Sequence, residues 1–166
     1  MVLHNISPVY DENSSVLILG SFPSVRSREE GFFYGHPQNR FWKVISAVCG
    51  EPCPQTVTEK KELLLRHGIA LWDVIASCDI TGSSDASITN VVPNDISGIL
   101  RESGIKAVLL NGKTAEKLYK KYIADSVALP AVCLPSTSPA NAKWTAEKLK
   151  EEWKVVRMFT AGNIIL

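Results

Sequence analysis

Val16-Leu17-Ile18-Leu19-Gly20 is the stretch that decides the fold. Four consecutive apolar residues, two of them β-branched, leave no polar face. Such a run reads as a strand buried on both sides, the kind found in parallel sheets covered by helices. Ser14-Ser15 leads into it, and Gly20-Ser21-Phe22-Pro23-Ser24 turns the chain at its far end. Similar runs recur downstream. Ile69 to Ile75 reads as a second strand, Lys106 to Leu110 as a third and Ala128 to Leu134 as a fourth. Lys154 to Met158 reads as a further short strand.

Helical patterns fill the intervals. Arg40 to Val48 puts Phe41, Ile45 and Val48 on one face, with Trp42 alongside. Thr58 is read as the cap of a second helix that runs through His67 and stops at Gly68. Asp95 or Ser97 starts a short helix that ends before Gly104. Thr114 opens another, with Ala115, Leu118, Tyr119 and Tyr122 on its apolar face. Ala142, Ala146, Leu149 and Trp153 line the next. Arg26 to Gln38 and Ser77 to Thr89 are polar, poor in periodicity and read as long loops. Strands alternating with helices predict an α/β fold: a three-layer α/β/α sandwich around a central, mainly parallel four-stranded sheet. At 166 residues, with no linker or repeat, the chain is expected to form one domain.

Composition narrows the function classes. Apolar runs are far shorter than the roughly 20 residues of a spanning helix. The start of the sequence has neither a basic region nor a long apolar core, so a cytoplasmic location is expected, with no membrane partner and a monomeric chain. A formal net charge of +1 argues against wrapping a long stretch of DNA, yet it permits a footprint of a few phosphates. Cys49, Cys53, Cys78 and Cys133 form no close CxxC pair, so reduced, partly buried thiols are expected, with no metal and no cofactor.

In a doubly covered parallel sheet the active site is expected in the loops at the carboxyl ends of the strands. Polar and special residues collect there. Gly20-Ser21-Phe22-Pro23-Ser24 can bring the backbone close to a ligand and lay Phe22 under a base; a simple tight turn with Phe22 in the core fits the spacing equally. Gly31 to Trp42 joins Phe32, Phe33, Tyr34, Phe41 and Trp42 to His36 and Asn39. Aromatic rings stack on extruded bases and amides read base edges. Asn39 reads either as a helix cap or as a catalytic amide, and His36 as a loop-bonding residue or a proton carrier. In Cys78 to Ile88 the aspartates read first as turn formers. Asp73, inside an apolar run, needs a partner and reads as a brace for backbone or loop. Pro135-Ser136-Thr137-Ser138-Pro139-Ala140-Asn141 offers hydroxyls and amides before a helix, suited to one phosphate or to ordinary capping. There is no P-loop, GxGxxG, GxSxG, HExxH or zinc-deaminase pattern.

These segments, in this order, resemble the uracil-DNA glycosylase superfamily, and most closely its hypoxanthine (deoxyinosine) DNA glycosylase branch. The resemblance rests on Gly20 to Ser24, His36 to Trp42, Leu71 to Val74 running into Ser77-Cys78, Gly82 to Asp85, and Leu134 to Asn141, and spans about Val16 to Trp153. It implies a DNA partner carrying a deaminated base and a monofunctional enzyme of base excision repair. Hydrolysis of the N-glycosidic bond of hypoxanthine, with uracil or xanthine as further substrates, would leave an abasic site. Asn39 inherits the catalytic role. Ser21, Phe22, Pro23, Phe33, Tyr34, Cys78 and Asn111 are assigned to the base. Ser136, Thr137, Ser138, Pro139, Ala140 and Asn141 are assigned to the DNA backbone, and His36, Trp42, Asp73, Ser83 and Asp85 to support. The water-activating aspartate of the uracil-specific branch is replaced here, where Ser21 follows the glycine. A damaged-DNA-binding protein that does not cut and a Rossmann-like small-molecule enzyme are the competing readings.

Overall fold

The computed structural model describes residues 1–160. A short β1 (Val2–Leu3) precedes β2 (Val16–Gly20), which is buried along its whole length. Then come α1 (Val25–Glu30), α2 (Phe41–Cys49), α3 (Val57–Arg66), β3 (Ile69–Asp73) and β4 (Ile75–Asp79). The remainder is β5 (Thr89–Pro93), α4 (Ser97–Arg101), β6 (Val108–Asn111), α5 (Lys113–Tyr122), β7 (Ala131–Leu134) and α6 (Ala146–Trp153). The central sheet has the order β3-β2-β6-β7 and all its pairs are parallel.

Alternation along β2 builds the three layers. Val16 and Ile18 face a core made with Phe41, Val44 and Ile45 of α2, Leu63 and Leu64 of α3, and Leu149 and Trp153 of α6. Leu17 and Leu19 face the opposite core, with Ile99 of α4 and Ala115 and Tyr119 of α5. Each fully buried aliphatic side chain contributes about 1.5–3 kcal/mol by leaving water, so the doubly covered strands anchor everything mounted at their ends. The register aligns those ends. Gly20 pairs with Asp73, and Asn111 with Leu134, which brings four strand termini to one edge of the sheet.

Several local expectations are corrected. The second strand ends at Asp73, because Val74 and Ile75 donate to the carbonyls of Gly20 and Ser21 and turn the chain out of the sheet. The segment read as a polar loop from Ser77 to Thr89 contains most of β4 and leads into β5, which pair antiparallel with each other, β4 also pairing with β1. Polar side chains on these half-exposed strands hid their period. Arg26 to Gln38 is not all loop, since Ser24 caps α1 by accepting from Ser27 N, and Gly31, at φ +73°, ends it. Thr56, not Thr58, caps α3, in a reciprocal box with Glu59. Residues Lys154–Met158 form 3₁₀ turns, not a strand, because no glycine or proline stops the chain after α6 and Val156 packs back into the core. Among the described residues no helix is long and apolar enough to cross a membrane.

Candidate active site

A cavity of about 510 Å³ opens at the edge where the strand ends align. The turn Gly20 to Ser24 forms one wall, Phe33, Tyr34, His36 and Asn39 a second, Ser83 to Ala86 a third and Ser136 to Ala140 a fourth, while Asp73 and Asn111 reach it from β3 and β6. The structure therefore gathers nearly all the assigned residues, from segments more than 100 positions apart, around one opening.

Asn39 sits just before α2. Its Oδ1 accepts from Phe41 N (2.9 Å) and from Thr137 Oγ1 (2.9 Å). A backbone N–H can only donate, so the oxygen is fixed toward the helix and the amide nitrogen is the group left for the cavity. The two readings of Asn39 are thus compatible: one end of the carboxamide serves the helix start, and the other remains a donor. Thr137, fully buried, couples Asn39 to Asn111, because Asn111 Nδ2 donates to Thr137 Oγ1 (3.1 Å) and Asn111 Oδ1 accepts from Thr137 N (3.1 Å). Asn111 Nδ2 also donates to the Tyr34 hydroxyl (3.1 Å). Every polar atom of the Asn111 side chain is therefore in use, and it holds the pocket's shape.

Tyr34 adopts a left-handed backbone (φ +53°) and stacks on Phe41 at 4.2 Å. Burial, together with the nearby Asp73 charge, pushes its phenol well above the usual range. Phe22 is partly buried, with His4 edge-on at 6.0 Å and the Arg28 guanidinium 5.4 Å from its ring centre. Arg28 also donates to the carbonyls of Pro23 and Gly82, tying two walls together. Ser21 Oγ donates to Asp85 (3.4 Å), whose carboxyl is shifted upward by the protein packed around it. Ser83 Oγ accepts from Val25 N, and His36 Nδ1 from Gln38 N. Trp42 lies behind the cavity, where its Nε1 donates to the Phe33 carbonyl (3.1 Å).

The Ser136 to Asn141 loop is built around Arg40. The guanidinium donates to the carbonyls of Thr137, Ser138, Asn141 and Trp144. The loop's amides are engaged internally: Ser138 N donates to Ser136 Oγ and Ala140 N to Ser138 Oγ. Free amides at a helix start are therefore not what this loop offers, and α6 begins only at Ala146. Each of these serine oxygens accepts from an amide, which leaves its hydroxyl proton for another acceptor. Asn141 does not line the cavity, but its Nδ2 closes the loop onto Ser136 O (3.0 Å).

Cys78, assigned to the base, is not brought to the cavity. It lies on β4, which runs away from the opening, and is fully buried in the second core, where burial raises its thiol pKa. Sequence reading also missed two participants. His4, 69 positions from Asp73, bonds its carboxylate, and no local pattern links the two. Arg40 stood inside a quoted motif, but its carbonyl partners come from a distant loop. Among the described residues, no group of three or more His, Cys, Asp or Glu side chains is placed to hold a metal ion.

Among the described residues, the cavity walls carry two carboxylates, Asp73 and Asp85, and no lysine or arginine. Such a site favours a developing positive charge over a buried phosphate. Comparison with known proteins gives the family. The family model described as the uracil DNA glycosylase superfamily matches residues 7–160. A hypoxanthine DNA glycosylase of Methanosarcina acetivorans is 34% identical over 159 residues, covering 94% of this chain and 98% of the relative. One from Methanosarcina barkeri is 34% identical over 149 residues, covering 88% and 92%. The solution NMR structure of a proposed uracil DNA glycosylase from Methanosarcina acetivorans superposes with a TM-score of 0.79 at 28% identity, covering 94% of this chain and 99% of that one. A parallel sheet ending in an acidic, aromatic-walled cavity and a family match across nearly the whole length lead to one assignment: the chain belongs to the uracil DNA glycosylase superfamily.

Proposed function

We propose that the chain is a monofunctional DNA glycosylase that releases a deaminated base, hypoxanthine foremost, and leaves an abasic site. The observation that carries this reading is Asn39, whose oxygen is locked by Phe41 N and Thr137 Oγ1 while its amide nitrogen stays available to the cavity. The names of the two Methanosarcina relatives support hypoxanthine as the first substrate to test.

The damaged nucleotide rotates out of the duplex, at a cost of a few kcal/mol that is smallest where pairing is already weak. Phe22 offers a ring for the base to pack on. The hydroxyls of Ser136 and Ser138 hold flanking phosphates. As the C1′–N bond stretches, positive charge grows on the sugar and negative charge on the base. Asp85 stabilises the first, and the Asn39 N–H donates to the second. Water then forms the new C1′–O bond, the base departs with the bonding electrons, and the water's proton balances its charge. Among the described residues no lysine lines the cavity, so the sugar is not captured as an imine.

A duplex panel carrying hypoxanthine, uracil or xanthine, incubated at enzyme excess and cleaved with alkali, tests this. Product from the hypoxanthine duplex is expected. Asn39→Ala should slow release about 10²–10³-fold, the usual cost of removing one such donor, with circular dichroism unchanged. Lesion binding without base release by the native chain would point instead to a damage sensor.

A further inference from the structure

We infer that Asp73, held in place by His4, reads the ring N–H that deamination creates, and so separates deaminated bases from their amino-bearing parents, adenine and cytosine. The inference rests on the glycosylase reading of the cavity and concerns how that cavity chooses.

Both side chains are buried, each 4% exposed, with His4 Nε2 and Asp73 Oδ2 2.8 Å apart. His4 Nδ1 accepts from Ile6 N (3.3 Å), so Nε2 is the nitrogen that carries the hydrogen and donates. The ring is wedged among Phe22, Phe33 and Trp72, at centroid distances of 6.0, 6.2 and 6.1 Å, which leaves it one orientation. One carboxylate oxygen is thus pinned. The other, Oδ1, faces Gly20, where a Cβ would come within 2.5 Å of it. Glycine on the neighbouring strand keeps that approach open. Among the described residues no hydrogen bond to Oδ1 from a protein donor is present, and Asp73 lines the cavity. Oδ1 is therefore a fixed acceptor waiting for a donor.

Asn39 supplies the complementary half, since its amide nitrogen is a fixed donor to the same cavity. Adenine and cytosine each present an amino donor beside a bare ring nitrogen, which accepts. Deamination replaces the amino group by a carbonyl and puts a hydrogen on the ring nitrogen, so both polarities invert. A donor and an acceptor fixed as Asn39 and Asp73 are match the deaminated edge and oppose the amino-bearing parent at both positions. Sites that hydrogen-bond a substrate group reject analogues lacking it far more strongly than apolar pockets reject a missing methylene, because their own polar groups are left unpaired. Guanine shows the same lactam edge as hypoxanthine, but its three-hydrogen-bond pairing with cytosine makes it the costlier base to extrude.

Asp73→Asn is the sharp test. His4 Nε2–H would retain the amide oxygen and turn the NH2 toward the cavity, replacing acceptor by donor with little change of shape. Single-turnover release of hypoxanthine should fall roughly 10²-fold, and the ratio of hypoxanthine to adenine release should fall by at least tenfold. Affinity for a duplex carrying a tetrahydrofuran abasic analogue, which has no base to read, should stay within about twofold. His4→Phe should act in the same direction, and His4→Gln, which keeps an N–H donor, should recover part of the loss. An unchanged hypoxanthine-to-adenine ratio in Asp73→Asn overturns the inference while leaving the glycosylase reading standing. So does abasic-duplex affinity that falls in step with rate, which would make the pair structural. A native chain that releases no base overturns both.

Discussion

At the scale of single residues, the site is organised by groups that use one end for structure and leave the other open to the cavity. Asn39 and Asp73 share this division: each has one polar atom fixed by a partner and the other available to the cavity. Gly20 makes the arrangement possible. A Cβ there would meet Asp73 Oδ1 at 2.5 Å and the Tyr34 hydroxyl at 2.8 Å. Gly20→Ala should therefore displace both groups and lower base release at least tenfold, since misplacement of about 1 Å at a catalytic centre can cost 10²-fold. The melting temperature should drop as well, as overpacking costs about 1–3 kcal/mol. Steady-state kinetics beside a thermal melt would show the two effects. The glycine was legible in sequence as a place where backbone approaches something; what approaches it, an aspartate from the next strand and a tyrosine from a loop, was not.

At the scale of elements, the buried runs declared themselves, because a strand covered on both faces has no polar residue to obscure it. β2, β3 and β6 were readable for that reason. β4, β5 and α1 were not, since half-exposed elements carry polar residues that mimic loops; α1 has one buried residue, Ser27, and no apolar stripe. The 136–144 segment was legible as a functional loop, but the reason it holds its shape was hidden. Arg40, from just before α2, gathers its carbonyls at a sequence distance near 100. Removing that guanidinium leaves several carbonyls without their charged donor, each such bond being worth about 1.5–3 kcal/mol. Arg40→Ala should loosen the loop, raise KM for DNA more than it lowers kcat, and speed amide exchange from 137 to 144. Exchange measured by mass spectrometry that matches the native chain in this segment would remove Arg40 from that role.

At the scale of the whole molecule, the sheet gives a rigid edge and the ionic contacts far from it tune stability. The largest such effect is at Glu51, which accepts from Arg66 and His67 and whose carboxyl is thereby lowered to about 2. A carboxyl depressed by folding contributes stability that is complete above its unfolded value, 4.5, and is lost as pH falls toward 2. Glu51→Gln should therefore cost about 1 kcal/mol at pH 7, discounted for a partly solvated site, and the difference should close between pH 4.5 and pH 2. Urea titrations at several pH values would show the convergence, and base release at pH 7 should be unaffected because the cluster lies outside the cavity. With a net charge of only +1, the proposed activity calls for contact with only a few phosphates at the cavity mouth, and the whole molecule acts as a frame for that one opening.

The most direct measurement of the central claim is the single-turnover rate of abasic-site formation in a hypoxanthine-containing duplex, native chain against Asn39→Ala. Base release by the native chain, slowed by about 10²–10³ in the variant with unaltered secondary structure, is the predicted result. Equal rates for the two, or no abasic product from the native chain at enzyme excess, would contradict it.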